Sequence, residues 1–332
     1  MSDYGTLRKQ ELKHIDELLK NDKYYSKKLT EIYESASEDI QKEIIYELEF
    51  LTHSLNNKIS MQMARETIRE FDVRKYEKEA ERIVREARER ANSTRPKTKI
   101  KYSDYSDEVN DNLRKYNVTM RTNRLELLQA RINMATTDMS AKEISLLDDR
   151  LVNEMVEELE RQAGLLGQTV PSINKTREYI EALLKGDETG VRFSDRIWAN
   201  QEELTSELNN MLRRTILKGE NPKKASKDLR SFVKKSILGD KNKAGAKFYA
   251  ERIAITESSR VQALAQKISF DEMDIDKYMF IAENDSKTCS VCRSLDGEVF
   301  RVEDMESYKN ANPMHPFCRC STRAVIDLRS YK

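Results

Sequence analysis

Glycine and proline are scarce in this chain, nine and five among 332 residues. Tryptophan occurs once, histidine three times and cysteine four times. So few turn formers exclude a loop-rich fold and leave long helices as the natural architecture. No apolar run approaches the ~20 residues that span a bilayer, which argues against a membrane helix. The opening MSDYGTLRKQELKHIDELLK lacks the apolar stretch and cleavage pattern of a signal peptide. The expectation is a soluble chain made in a cytoplasm, where thiols stay reduced. Also missing are a Walker loop, G-x-G-x-x-G, G-x-S-x-G and H-E-x-x-H. With His14 and His53 in helical stretches, general acid-base catalysis has few candidates, and the expectation is a protein that is not an enzyme.

What is present is charge. Charged residues make up 35% of the chain and hydrophobic ones 38%, with a net charge of +1. That balance reads as mainly α: an elongated helical region over 1–185, then a small α+β domain over 186–332. In the first region Ile40, Ile44, Ile45, Leu48 and Leu51 recur at helical spacing. Ser35 with Glu38, and Ser140 with Glu143, have the spacing of capping boxes, so helices are expected to start there. A polar stretch around Pro96, residues 93–106, reads as a linker, and helix resumes near Asp107. Gly164 and Gly167 mark the end of the helix that follows. In the second region helices are expected within 194–268, with a turn at Gly219 and Pro222 and one helix from Phe248 to Ile268. A small sheet follows within 277–328, with strands in DKYMFIAEN and RAVIDL and a hairpin turn at Asp296-Gly297.

The charge is uneven. Between Met211 and Arg252 there are 13 Lys and Arg against 4 Asp and Glu. Such a block can follow a phosphate backbone, and Arg213, Arg214, Lys223, Lys224, Lys227, Lys234 and Lys235 are its candidate contacts. Lysines on solvated helix faces are equally ordinary, and the block shows no aromatic interleaving for base stacking.

All four cysteines fall within 289–320, together with the third histidine. Cys289 and Cys292 form C-x2-C, and His315, Cys318 and Cys320 form H-x2-C-x-C. Two such pairs from distant segments can complete a tetrahedron around a soft ion and clip the loop between them. Cys289, Cys292, His315 and Cys318 are the first choice of ligands, Cys320 the substitute, and zinc the best-fitting metal. A reduced cluster packed without metal, and thiol redox chemistry, remain alternatives. Against redox stands the expected placement, since a dithiol pair normally opens a helix after a strand and this one heads into a hairpin. Glu257 reads as an intrahelical ion pair with Arg252 or Arg260. Asp285 reads as a turn cap and Asp296 as part of the turn.

These residues carry a resemblance. AERIAITESSRVQALA around Ile255-Thr256-Glu257, ENDSKTCSVCRSLDGEVF and NPMHPFCRC resemble, in order and spacing over about 190–328, the MuF domain of tailed-phage minor head proteins, similar to the F protein of phage Mu. Two departures stand out. Ile255 replaces the family's usual Arg, and a Trp often found before the acidic-Thr-Cys segment is absent, with Tyr278 and Phe280 in its vicinity. The resemblance implies a low-copy virion component inside the head, associated with the portal protein and with scaffold or major capsid protein. It further implies contact with packaged double-stranded DNA and a part in head assembly or genome ejection, with possible exit into the host. The alternative reading is a zinc-stabilised nuclease using acidic residues such as Glu283 or Asp285.

Overall fold

The computed structural model describes residues 4–50, 107–167, 179, 191–217, 222–283, 285–286 and 288–326. Within them lie six α-helices: α1 (Tyr4–Phe50), α2 (Asp107–Leu166), α3 (Phe193–Leu217), α4 (Pro222–Leu238), α5 (Ala246–Glu272) and the short α6 (Ser290–Leu295). The sheet is small: β1 (Lys277–Ile281), β2 (Val299–Arg301) and β3 (Ser321–Ala324) lie in the order β2-β1-β3, and both pairings are antiparallel. The chain is thus mostly helical, with its sheet at the end. The expected linker over 93–106, the loop after Gly167 and the turn at Gly219 lie outside the described residues.

Neither expected capping box starts a helix. Ser35 and Glu38 lie inside α1, and Ser140 and Glu143 lie inside α2, which runs unbroken from Asp107. The physical reason is local. A capping serine needs extended backbone, and no Gly or Pro near either site enforces it. In α2 the side chains turn inward instead. Ser140 and Glu143 are buried, and the Tyr33 hydroxyl donates to Glu143 at 2.6 Å. α2 does stop at Leu166, with Gly167 in the left-handed conformation (φ 72°) that suits glycine at a helix end.

The chain divides into two compact units, each assembled from separate stretches. One takes residues 1–35, 137–202 and 237–332; the other takes 36–136 and 203–236. The first unit takes segments from both sides of residues 185 and 186. In the second unit the described stretches are all helical. Ile40, Ile44, Leu125, Leu128, Ile132, Leu204, Leu208, Leu212, Leu229 and Val233 are buried at helical intervals. Arg131 pairs with Glu43, and the Thr136 and Thr205 hydroxyls meet at 2.8 Å.

The first unit holds the sheet and α5. β1 buries Tyr278, Phe280 and Ile281. Tyr278 packs with Phe270, Val302, Met305 and Ala311, whereas Phe280 packs with Ala282 and three cysteines. The two aromatics therefore anchor adjoining parts of the core. β1 and β2 are not joined by a tight hairpin. The connection over 282–298 carries α6, and the Asp296-Gly297 turn returns the chain to the sheet, where the Gly297 N–H donates to the Phe280 carbonyl at 2.9 Å. The reason is Asp296 itself. It accepts the Ala282 N–H at 2.9 Å and pairs with Arg8 at 2.6 Å, so it closes the loop at its base. β3 starts at Ser321, two residues before the expected strand.

Burial pushes the Glu143 carboxyl up from 4.5 to about 7, although the Tyr33 hydrogen bond favours its ionised form. A carboxyl whose folded pKa lies above its unfolded value favours folding fully below pH 4.5, and that contribution is lost as pH rises through about 7. Glu143→Gln should therefore flatten the decline in urea midpoint between pH 5 and pH 8 and give a protein more stable than wild type at pH 8. An unchanged pH profile in the variant would show that Glu143 does not titrate this way.

Candidate metal centre and its buried support

Cys289 stands immediately before α6 in extended conformation (φ −69°, ψ 165°), and its Sγ accepts the Cys292 N–H at 3.3 Å. The C-x2-C motif thus opens a helical turn after β1, contrary to the expected hairpin placement. That placement no longer separates a metal clip from a redox pair; the surroundings of the second thiol do. Cys292 Sγ lies 3.4 Å from His315 Nε2 and 3.9 Å from Cys318 Sγ, so it faces further ligand atoms and not solvent. All five expected ligands come together in two groups that share Cys292. One is Cys289, Cys292 and His315; the other is Cys292, Cys318 and Cys320, with ligand atoms within 4.8 Å of one another in each. Cys292, Cys318 and Cys320 are buried beside Phe280 and Ala282, and Cys289 is half-buried at the edge.

The electrostatics favour anionic sulfur at Cys289 and Cys318. The Cys292 N–H draws the Cys289 thiol below its ordinary pKa. Hydrogen bonds from Cys292 and Cys320 hold Cys318 well below the usual thiol range, and the donors Cys292 and Cys320 are pushed up in turn. Burial lowers the His315 pKa, but its bond to the Pro316 carbonyl and the sulfurs of Cys318 and Cys289 outweigh that and raise it. Clustered sulfurs beside an imidazole, two of them drawn toward the thiolate, form a set able to bind a metal ion.

Cys318 and Cys320 turn to the same side, as their spacing implies. The residue between them turns the other way. Arg319 is buried, donates from Nε to Asp22 at 2.6 Å and from Nη2 to the same carboxylate, and reaches Ser258 Oγ at 3.2 Å. Asp22 also accepts from Arg150 at 2.6 Å, and Arg150 in turn donates to Glu154 at 2.8 Å. A second buried group lies alongside. Arg161 bridges Glu11 and Glu158, while Glu158 also receives Gln266 at 2.9 Å and stands 3.2 Å from His14 Nε2. Burial would raise the Glu158 carboxyl, but the Arg161 guanidinium and His14 hold it far below the usual range. Ser321 donates to Glu11 at 2.6 Å, and Thr322 donates to Gln266 at 2.6 Å. The cysteine module is therefore tied to α1, α2 and α5 through the residues directly after each of its last two cysteines. Sequence reasoning passed over Asp22, Arg150, Glu158 and His14, which carry no local signal. Only Arg319, set between two cysteines, could have been singled out.

Other expected residues have structural work. Glu257 is buried and accepts from Arg260 and from Arg196, each at 2.8 Å, while Arg252 lies over the Tyr249 ring instead. Asp285 caps its turn through Thr288, whose hydroxyl donates to it at 2.9 Å. Among the basic residues, Lys224, Lys227, Lys234 and Lys235 of α4 are exposed, as is Arg214 of α3, while Arg213 is half-buried. Helical spacing puts the four α4 lysines on one face, opposite Ala225, Leu229 and Val233. The Lys223 side chain lies outside the described residues.

Residues 206–323 match the family model described as Phage Mu protein F like protein. The match spans less than half of the chain but contains α4, α5, β1, β2, most of β3 and the whole Cys/His cluster. This segment is a Phage Mu F-like domain, as the resemblance implies. No curated protein and no solved structure matches the chain.

Removing one partner of a buried ion pair leaves an uncompensated charge at a cost of about 3–5 kcal/mol. Arg319→Met is accordingly expected to lose about that much in urea unfolding. Arg293→Met, at an exposed site of the same module, should stay within about 0.5 kcal/mol of wild type. Equal, small effects of both would mean that the Arg319–Asp22 pair contributes nothing to the fold.

Proposed function

We propose that this chain is a minor head protein of a tailed phage, a low-copy component inside the capsid that associates with the portal. In this reading it contacts the packaged double-stranded DNA and assists head assembly or genome ejection. The observation that carries the reading is the family match over residues 206–323, which supports a phage head-related protein. The rest supports it. No helix among the described residues is long and apolar enough to cross a membrane. Asp285, one carboxylate of the nuclease reading, is engaged in its turn by Thr288, and Asp296 closes the base of a loop.

The metal in this reading is zinc, held structurally. Across an ideal tetrahedral zinc, two sulfurs lie about 3.8 Å apart, and a sulfur and an imidazole nitrogen about 3.5 Å apart, given Zn–S near 2.3 Å and Zn–N near 2.0–2.1 Å. The separations of Cys292 from Cys318 and from His315, 3.9 and 3.4 Å, fit those values. Sulfur-rich donors favour zinc over the hard cations. With four protein ligands the ion would have no open position, so it would hold the module and not act on a substrate. DNA contact is assigned to the exposed lysine face of α4.

Quantitative mass spectrometry of gradient-purified, DNA-filled particles from the encoding phage tests the central statement. A few copies per particle are expected; absence from particles with abundance in infected cytoplasm would overturn it. A second measurement addresses the lysine face. Replacing Lys224, Lys227, Lys234 and Lys235 by Gln should weaken duplex binding and reduce the salt slope by about 1 for each lysine that had met a phosphate. An unchanged slope would place the DNA contact elsewhere.

A further inference from the structure

Three aromatic side chains are gathered at the surface where α5 begins. Phe248 and Tyr249, 43% and 38% exposed, lie in its first turn. The half-buried Phe317 comes from the segment between His315 and Cys318 and reaches Phe248 with ring centroids 5.5 Å apart. The rings do not stack on one another. Phe248 meets Tyr249 edge-on at 82° and Phe317 at 47°, so the rings form a non-stacked cluster that leaves Phe248 and Tyr249 partly exposed. Phe317 holds its place in the left-handed region (φ 64°), a conformation that costs a bulky side chain energy. Its N–H donates to Thr256 Oγ1 at 3.3 Å, and it lies between two residues of the Cys/His cluster. The structure accepts backbone strain to keep this ring on the surface beside Phe248.

Cations lie beside the rings. The Arg252 guanidinium lies 5.1 Å above the Tyr249 ring and has no carboxylate partner among the described residues. Lys241 is exposed on the loop leading into α5. That loop is pinned where Gly245 approaches Gly239 so closely that a Cβ would fall 2.2 Å from the Gly239 nitrogen. On α1, Lys23 and Lys27 are exposed one turn before Ser26 and Thr30, which themselves touch Glu251 and Lys247. The nearby carboxylates are committed. Glu251 takes Lys247 and Ser26, Glu257 takes Arg196 and Arg260, and Asp240 accepts the N–H groups of Asn242 and Lys243.

Exposed aromatic rings beside a guanidinium with no carboxylate partner among the described residues fit a ligand that offers flat rings and phosphates together. We propose that Phe248, Tyr249 and Phe317, with Arg252, form a stacking platform for the unpaired bases of single-stranded nucleic acid. Each base laid on such a ring contributes about 1–3 kcal/mol and needs no particular sequence. Duplex DNA hides its base faces and gains nothing from these rings. The platform is thus distinct from the α4 lysine face and does not depend on it.

The test uses the full-length protein and two fluorescent probes, an oligothymidylate of about 20 nucleotides and a duplex of the same length, a span that exceeds a typical single-strand site. Binding is read by anisotropy. Phe248→Ala with Tyr249→Ala should weaken oligothymidylate binding at least tenfold and change duplex binding less than twofold. Phe248→Leu with Tyr249→Leu keeps apolar bulk and removes the π faces; it should lose as much. Tyr249→Trp should bind as well as wild type or better. The α4 lysine variant should lose duplex affinity while keeping most of its oligothymidylate affinity, so failure of either assignment is visible separately. Wild-type protein that does not bind oligothymidylate would overturn the proposal and give the patch to a protein partner. An equal loss for both probes would also overturn it, because electrostatics alone would then account for binding.

Discussion

The ion pair between Arg319 and Asp22 is the constraint on which the first compact unit depends. It joins a residue near the start of the chain to one near its end, and both are buried. Two charges removed from water are tolerated when their mutual attraction and hydrogen bonds offset the lost hydration. Here Arg150, Ser258 and Glu154 supply much of that matching. The pair also fixes the orientation of the cysteines on either side. With the guanidinium turned to α1, the thiols of Cys318 and Cys320 turn toward Cys292 and Phe280. One alternation of the backbone thus serves the fold on one side and the candidate metal centre on the other.

This arrangement gives the Phage Mu F-like domain a particular character. Its sheet is too small to build a large core alone, and isolated small sheets are marginal in water. Two devices compensate. The Cys/His cluster gathers the loop over 282–298 and the segment over 315–320, and the buried polar groups bind that gathered module to long helices. The exposed features of the chain include a lysine face on α4 and an aromatic patch at the start of α5.

Much of this was legible in the sequence, for identifiable reasons. Helices announce themselves through apolar residues at fixed intervals, so Ile40 and Ile44, or Leu147, Leu151 and Met155, report their own burial. The five metal-ligand candidates stand out because thiols and histidines are rare elsewhere in the chain. The failures have a common cause. S-x-x-E at Ser35 and Ser140 is compatible with a helix start but does not require one, and nothing local distinguishes the cases. The Asp296-Gly297 turn stands where the sequence places it, but it joins the short α6 to β2 and does not close a hairpin. Asp22, Glu158 and His14 look like ordinary members of charged helices. Their burial is a property of tertiary pairing, and no periodicity encodes a partner. The surface role of Phe248 and Tyr249 was likewise hidden, since aromatic residues beside alanines in a helix read first as core.

The account's central claim is that the first helix and the late cysteine module form one cooperative element. Native-state hydrogen exchange measures this directly, because residues that open together share one opening free energy. The account predicts that amides within 8–35 of α1 and within 277–324 exchange through the same opening, with the same denaturant dependence. A sheet module that opens at much lower free energy while α1 stays protected would contradict it, and would reduce the Arg319–Asp22 pair to a passive contact.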